Sequence, residues 1–214
     1  MTQFSTQHGD ILVNDLVSVI RQNRDYLSEI DGAIGDGDHG INMAKGFTQC
    51  GEKLSPQHSL AQAFDKLSDA LMEGIGGSMG PLYGSLFMGM ADSIRDKSAL
   101  SAPEFAAMLR AGLSELQDIS EAGVGDKCLM DTLIPAVEAA EAMAANGYPA
   151  MLAALTQAAV KGRDSTKDLV AKIGRASRLG ERSRGVLDAG AVSCCLLLTQ
   201  MADCVERSLS TETA

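Results

Sequence analysis

The sequence predicts an all-α protein, and three observations carry that prediction. Aromatic residues make up only 4% of the 214 residues and Trp is absent, whereas Ala, Leu and Met (11 of the last) are abundant. Helices favour Ala, Leu and Met, while strands favour aromatic and β-branched side chains. Apolar residues recur at helical spacing through most of the chain, and no convincing stretch alternates with a period of two. Glycine-rich stretches at 32–40, 73–84, 123–125 and 174–190 interrupt that periodicity and mark breaks between helices. The connections are short, which places successive helices antiparallel in a bundle or a closed helical barrel. Residues 1–214 read as one domain, long enough to bury a single core.

The elements follow in order. Leu12, Leu16, Val19 and Ile20 share a face behind Asp10 as N-cap, and the pattern runs on to Leu27 and Ile30. Ser59 to Gln62 reads as a capping box ahead of Leu60, Phe64, Leu67 and Leu71. Ser101 to Glu104 is a second, with Pro103 near the first helical position and Phe105, Met108, Leu109 and Leu113 on the buried face. Further periodic segments lie at about 132–145, 149–162 and 188–206.

The formal net charge is −10. That balance disfavours a nucleic-acid backbone or an anionic membrane as partner. It also means that a phosphate ligand must be met by bound metal or by a few placed Lys and Arg. The opening MTQFSTQHGD has neither the basic nor the apolar region of a signal peptide, and no apolar run reaches the roughly 18 residues that span a bilayer. The cysteines, at 50, 128, 194, 195 and 204, form no CxxC pair. A cytoplasmic protein with reduced thiols is expected, with neither nucleic acid nor membrane as partner.

Four loops hold the residues suited to chemistry. The first runs from Asp31 through Gly35, Asp36, Gly37, Asp38, His39, Gly40 and Ile41 to Asn42, with three carboxylates in eight residues. Such a cluster repels itself unless a cation relieves it, and oxygen ligands without Cys suit Mg²⁺. The glycines let the backbone bring Asp31, Asp36 and Asp38 to one point. Counted as an EF-hand from Asp31, the third, fifth and twelfth positions are Ala33, Gly35 and Asn42, so that motif fails. His39 has no His or Cys partner at ligand spacing, which argues against zinc. On these residues alone, a metal-holding loop and a solvated Asp/Gly turn are equally supported.

The second loop, Gly74 to Gly84, exposes backbone N–H groups before a helix start near Pro81. It suits a phosphate cradle, or simply close helix packing, and matches neither a Walker A nor a Rossmann fingerprint. The third, Gly123 to Asp131, sets Lys127 and two acids at another helix entrance. The fourth, Gly174 to Ser183 followed by Asp188, Ala189 and Gly190, gathers three arginines in an acidic protein. Such a patch can meet phosphate. Arg178 and Arg182 are expected to pair with surface carboxylates, which contributes little.

In order, the strings IGDGDHGINM, GGSMGPLYG, GDKCLMD and GRASRLGERSRGVLDAG resemble the L, or ADP-binding, subunit of dihydroxyacetone kinases and the matching C-terminal domain of single-chain ATP-dependent homologues. The resemblance spans about residues 31 to 190. It implies an antiparallel eight-helix barrel with the nucleotide site in loops at one end. It further implies two Mg²⁺ ions on Asp31, Asp36 and Asp38, bridging the phosphates of ADP or ATP. The nucleotide contacts it implies are His39, Gly40, Ile41, Asn42, Ser78, Met79, Leu129, Arg175, Asp188, Ala189 and Gly190. Met79, Cys128 and Ala189 stand where the family commonly has a small residue, Thr and Pro.

In that family a separate K subunit holds the ketose on a histidine, so no catalytic residue is assigned in this chain. The expected mode is bound ADP, rephosphorylated by a phosphotransferase-system phosphodonor subunit, with dihydroxyacetone or a related short ketose as acceptor. The alternatives are exchangeable ATP, or a non-catalytic Mg-nucleotide module that signals to a transcription regulator.

Overall fold

The computed structural model describes residues 2–212, and the helices within them follow the apolar periodicity. In chain order they are α1 (Gly9–Gln22), α2 (Arg24–Ile34), α3 (His39–Gly51), α4 (Leu60–Gly74), α5 (Met79–Ser93), α6 (Ala102–Ile119), α7 (Met130–Met143), α8 (Tyr148–Ser165) and α9 (Ala189–Glu212). α1 packs on α3, each helix from α3 to α9 packs on its successor, and α9 returns to α1. This ring has eight staves. α2 adds no ninth, because it packs on α3 and α9, the same neighbours as α1. The chain therefore closes the expected eight-helix barrel, with α1 and α2 as one stave broken at Asn23.

Local chemistry sets the helix starts. At α4 the capping box is complete: Gln62 N–H donates to Ser59 Oγ at 3.3 Å, and Ser59 N–H donates to Gln62 Oε1 at 2.9 Å. At α6 the Glu104 carboxylate accepts from Ser101 N–H at 2.8 Å and from Ser101 Oγ at 2.7 Å. Pro103 is the second residue of that helix, where a missing N–H costs nothing.

The expectation for Asp10 is corrected. His8 precedes α1 in the left-handed region at φ 55°, and Asp10 lies inside the first turn. The helix starts earlier because Gly9 N–H donates to His58 O at 2.9 Å, fastening the entrance to the segment before α4. A left-handed turn on a non-glycine residue has no reliable sequence signal.

The few aromatic side chains are concentrated at two points in the core. Phe87 meets Phe64 at 5.5 Å and Phe47 at 6.4 Å between ring centroids, joining α3, α4 and α5. Phe105 meets Phe4 and Tyr148, at 6.2 and 6.0 Å. Phe4 arrives there on a two-residue strand, β1 (Phe4–Ser5), paired antiparallel with β2 (Ala99–Leu100). Two residues are too few to show an alternating pattern, so the sequence reading found no strand.

The final helix contains a stretch, Ala189–Thr211, that is long and apolar enough to cross a membrane by length and composition. Of its apolar window 72% is buried, as a stave lining a core requires.

Candidate functional site

The acidic loop is shorter than its glycines indicate. α2 runs to Ile34, so Asp31 stands in its last turn and only Gly35–Asp38 lies between α2 and α3. A Cβ on Gly35 would come within 2.5 Å of Asp31 Oδ1, and Gly37 sits at φ 79°, so both positions need glycine for this turn. The turn brings one carboxylate oxygen each from Asp31, Asp36 and Asp38 within 4.8 Å of one another. His39 N–H, at the start of α3, donates to Asp31 Oδ2 at 3.2 Å, tying the two helix ends together.

Antiparallel staves put the N-termini of α3, α5, α7 and α9 at the same end of the barrel. All four open on a cavity of about 690 Å³, lined there by His39 and Asn42, Ser78 and Met79, Leu129 and Met130, and Asp188 to Gly190. The positive dipole ends of helices, with the first-turn N–H groups that no side chain caps, favour an anion at such a place. The three aspartates and Arg175 also line this cavity. Leu82, Leu116 and Ile119 form an apolar wall. Carboxylates able to hold a cation, helix N-termini and an apolar wall thus share one space, which fits a metal-bound nucleotide.

The floor is tied by buried hydrogen bonds. His39 Nε2 meets Ser193 Oγ at 3.0 Å, and Ser193 Oγ meets the Tyr83 hydroxyl at 2.6 Å, linking α3, α9 and α5. Burial drives the His39 pKa down to about 4 against the pull of Asp31, so its ring is neutral near pH 7. Asp188 caps α9 by accepting Ala191 N–H at 2.8 Å, while its own N–H donates to Thr166 Oγ1 at 3.0 Å. Burial raises the Asp188 carboxyl to about 6, opposed by the Ala191 N–H and by Lys127.

In the third loop, Asp131 accepts Gly125 N–H at 2.6 Å and Cys128 N–H at 2.8 Å, shaping the entrance to α7. Lys127 points inward and donates to three backbone carbonyls, of Thr166, Leu169 and Val186. Burial pushes the Cys128 thiol up to about 12, which keeps it protonated and unreactive near pH 7.

The structure gathers most of the site residues read from the sequence: Asp31, Asp36, Asp38, His39, Asn42, Ser78, Met79, Leu129, Arg175, Asp188, Ala189 and Gly190 all line the cavity. Gly40 and Ile41 do not. Gly40 is buried against α2, where an added Cβ would fall 1.8 Å from Arg24 O, and the Ile41 side chain is 57% exposed. Both sit one residue or two past the α3 start, where helical rotation carries them off the cavity face. Arg175 pairs with Asp36 across the mouth. Arg178 and Arg182 are exposed and carry no ion pair among the described residues, contrary to expectation; nearby Glu181 is held by Arg184 instead. The sequence reading missed the wall of Leu82, Leu116 and Ile119, because such residues at helical spacing read as core.

An eight-stave helical ring with an acidic loop and four helix N-termini around one end cavity defines the class of domain. The particular family follows from comparison: the DAK2 domain pattern matches residues 33–203, and the chain belongs to that family. It is 36% identical over 203 residues to the ADP-binding subunit DhaL of PEP-dependent dihydroxyacetone kinase 2 from Listeria innocua, covering 92% of this chain and 94% of that protein. It is 32% identical over 203 residues to the D-erythrulose kinase of Mycolicibacterium smegmatis, covering 92% of this chain and 35% of that longer protein. The crystal structure of the C. freundii dihydroxyacetone kinase with AMP-PNP and Mg²⁺ superposes with a TM-score of 0.70 at 23% identity. That match covers 91% of this chain and 33% of the other, and it supports the fold alone.

Proposed function

We propose that this chain is a cytoplasmic nucleotide-binding phosphoryl-transfer subunit of a kinase for dihydroxyacetone or a related short ketose, acting as a single domain over residues 1–214. The observation that carries the reading is the convergence of Asp31, Asp36 and Asp38 at the rim of a cavity onto which four helix N-termini open. The near full-length likeness to an ADP-binding subunit of a PEP-dependent kinase supports it. So does the likeness to a D-erythrulose kinase, which widens the acceptor to four-carbon ketoses.

The three aspartates would hold Mg²⁺, two ions in this reading. Held there, the metal would supply charge neutralisation to the phosphates and help to align them for in-line transfer. The rest belongs to the residues of the chain. Ser78, Met79, Leu129 and the Asp188–Gly190 turn offer helix N-termini to the phosphates and ribose, and Leu82, Leu116 and Ile119 flank the base. Arg175, freed from Asp36, meets charge that develops on the transferred group. In this reading the acceptor ketose belongs on a separate K subunit docked at the cavity mouth, as the likeness to an ADP-binding subunit of a kinase supports. ADP would serve here as a bound cofactor, rephosphorylated by a phosphotransferase-system protein. Nucleic acid and membrane have no part in the reading.

The test is mass spectrometry of the small molecules that co-purify with the chain. ADP retained without added nucleotide, and released by a magnesium chelator, is the expected result. A chain that carries no nucleotide, with or without added Mg²⁺ and ADP, contradicts the reading.

A further inference from the structure

Lys127 is a buried cation for which the proposed reaction has no use. Its side chain is 2% exposed, although it reaches the edge of the cavity. Nζ donates to Thr166 O at 2.7 Å, to Val186 O at 2.7 Å and to Leu169 O at 3.2 Å. Each of the three ammonium protons therefore has a carbonyl acceptor. No carboxylate forms an ion pair with it among the described residues; Asp188, Asp131 and Asp168 act on it from farther off. The backbone at Lys127 sits at φ 64°, a conformation a non-glycine residue keeps only where its surroundings impose it.

The three carbonyls come from the two ends of one segment. Thr166 and Leu169 follow α8, and Val186 stands two residues before Asp188, the cap of α9. Between them the chain loops out through a run of 3₁₀ turns, Arg175–Ser183, which carries Arg175 to the cavity mouth. Backbone bonds reinforce the same junction: Gly185 N–H donates to Lys167 O at 2.8 Å, and Lys172 N–H to Asp126 O at 3.1 Å.

We infer that the carbonyls of Thr166, Leu169 and Val186 form an ammonium site that Lys127 fills from within the chain. Lys127 is thereby a positioning residue that holds Arg175 and Asp188 at the cavity. The site matches a compact ammonium with three divergent donors. A guanidinium presents a flat fork and does not fit the same tripod. The effect on nucleotide rests on the proposed function; the clasp itself does not.

The experiment removes the ammonium and returns it from solution. Lys127→Ala deletes three carbons and the ammonium, the composition of n-propylammonium. Hydrogen exchange of residues 170–187, followed by mass spectrometry on the nucleotide-free chain, reads the clasp. The expected result is exchange about tenfold faster or more in the variant, since charged hydrogen bonds are among the strong ones. Millimolar n-propylammonium restores protection, and the same concentration of sodium or tetramethylammonium does not. Lys127→Met keeps most of the side-chain volume, so it should exchange as fast and resist rescue, which separates the lost ammonium from a simple cavity.

Unchanged exchange in both variants, or equal rescue by every salt, overturns the ammonium site. Mg-ADP affinity is the second arm: Lys127→Ala should weaken it about tenfold, with recovery in n-propylammonium. Unchanged affinity overturns the positioning role. A wild-type chain that binds no Mg-ADP, with the exchange result as expected, contradicts the proposed function and supports the clasp.

Discussion

Asp31 stands in the last turn of α2, yet its carboxylate accepts the N–H of His39, the first residue of α3, at 3.2 Å. One oxygen thereby fixes the geometry of the tight turn between them while the group as a whole faces Asp36 and Asp38. In the proposed function Asp31 would have two tasks, holding metal and fixing this turn, and they separate by mutation. Asp31→Asn keeps an oxygen acceptor for His39 N–H but removes a charge, so it should lose Mg²⁺ affinity with its melting temperature nearly unchanged. Asp31→Ala leaves that N–H without a partner and should cost a further ~1 kcal/mol of stability. Calorimetric titration of Mg²⁺ and thermal denaturation on the same samples distinguish the two; equal stabilities contradict the second task.

Gly40 and Gly76 make a contrasting pair. A methyl on Gly40 would strike the Arg24 carbonyl, whereas one on Gly76 meets nothing within 4 Å. Gly40→Ala should destabilise the fold by about 1–3 kcal/mol as an overpacked contact, and Gly76→Ala by no more than a few tenths. Urea denaturation measures both. Equal midpoints would mean that the α2–α3 approach is not tight in solution.

The pH dependence of the metal-free protein follows from two opposed groups. Asp188 is raised from its ordinary 3.8 to about 6, so its neutral form favours folding. That stability is fully present below about 4 and is lost as pH rises through about 6. His39 is lowered from 6.5 to about 4, so its stability is present above 6.5 and lost as pH falls through about 4. In Asp188→Asn the first trend disappears, and stability should rise with pH across this window by on the order of a few kcal/mol. Denaturant titrations at pH 4, 5 and 6.5 in chelator test the sign. A falling trend in that variant contradicts the assignment.

Arg175 pairs with Asp36 at the exposed mouth, where an ion pair adds little to stability. Arg175→Gln should leave the melting temperature unchanged and lower the rate of ketose phosphorylation by about two orders of magnitude in the reconstituted enzyme. A rate within twofold of wild type assigns the transition-state charge to another group.

The barrel was legible because apolar residues recur at helical spacing along much of the chain and two of its helix starts carry serine capping signals. The break at Asn23 was not, since Leu27 and Ile30 continue the apolar pattern of α1 straight through it. Asp31, Asp36 and Asp38 were visible as a cluster, but Gly32 and Gly35 made the turn look longer than it is. Gly32 belongs to the helix, and Gly35 is needed for closeness to Asp31. Lys127 read only as a charge beside two acids at a helix entrance. Its inward path depends on a left-handed backbone and on carbonyls up to 59 residues away, neither of which local sequence displays. The apolar wall of the cavity escaped notice for a different reason: Leu82, Leu116 and Ile119 have the same spacing as the core residues beside them.

The most direct measurement concerns Asp38, an exposed aspartate at the end of the turn that fixes no other part of the fold through a side-chain hydrogen bond. Asp38→Asn and the wild-type chain are passed through gel filtration in Mg²⁺ buffer after loading with ADP, and the nucleotide retained per chain is counted. The account predicts near-stoichiometric ADP on the wild type and little on a variant that remains folded. ADP undiminished on Asp38→Asn would contradict the claim that the aspartates hold the nucleotide through metal.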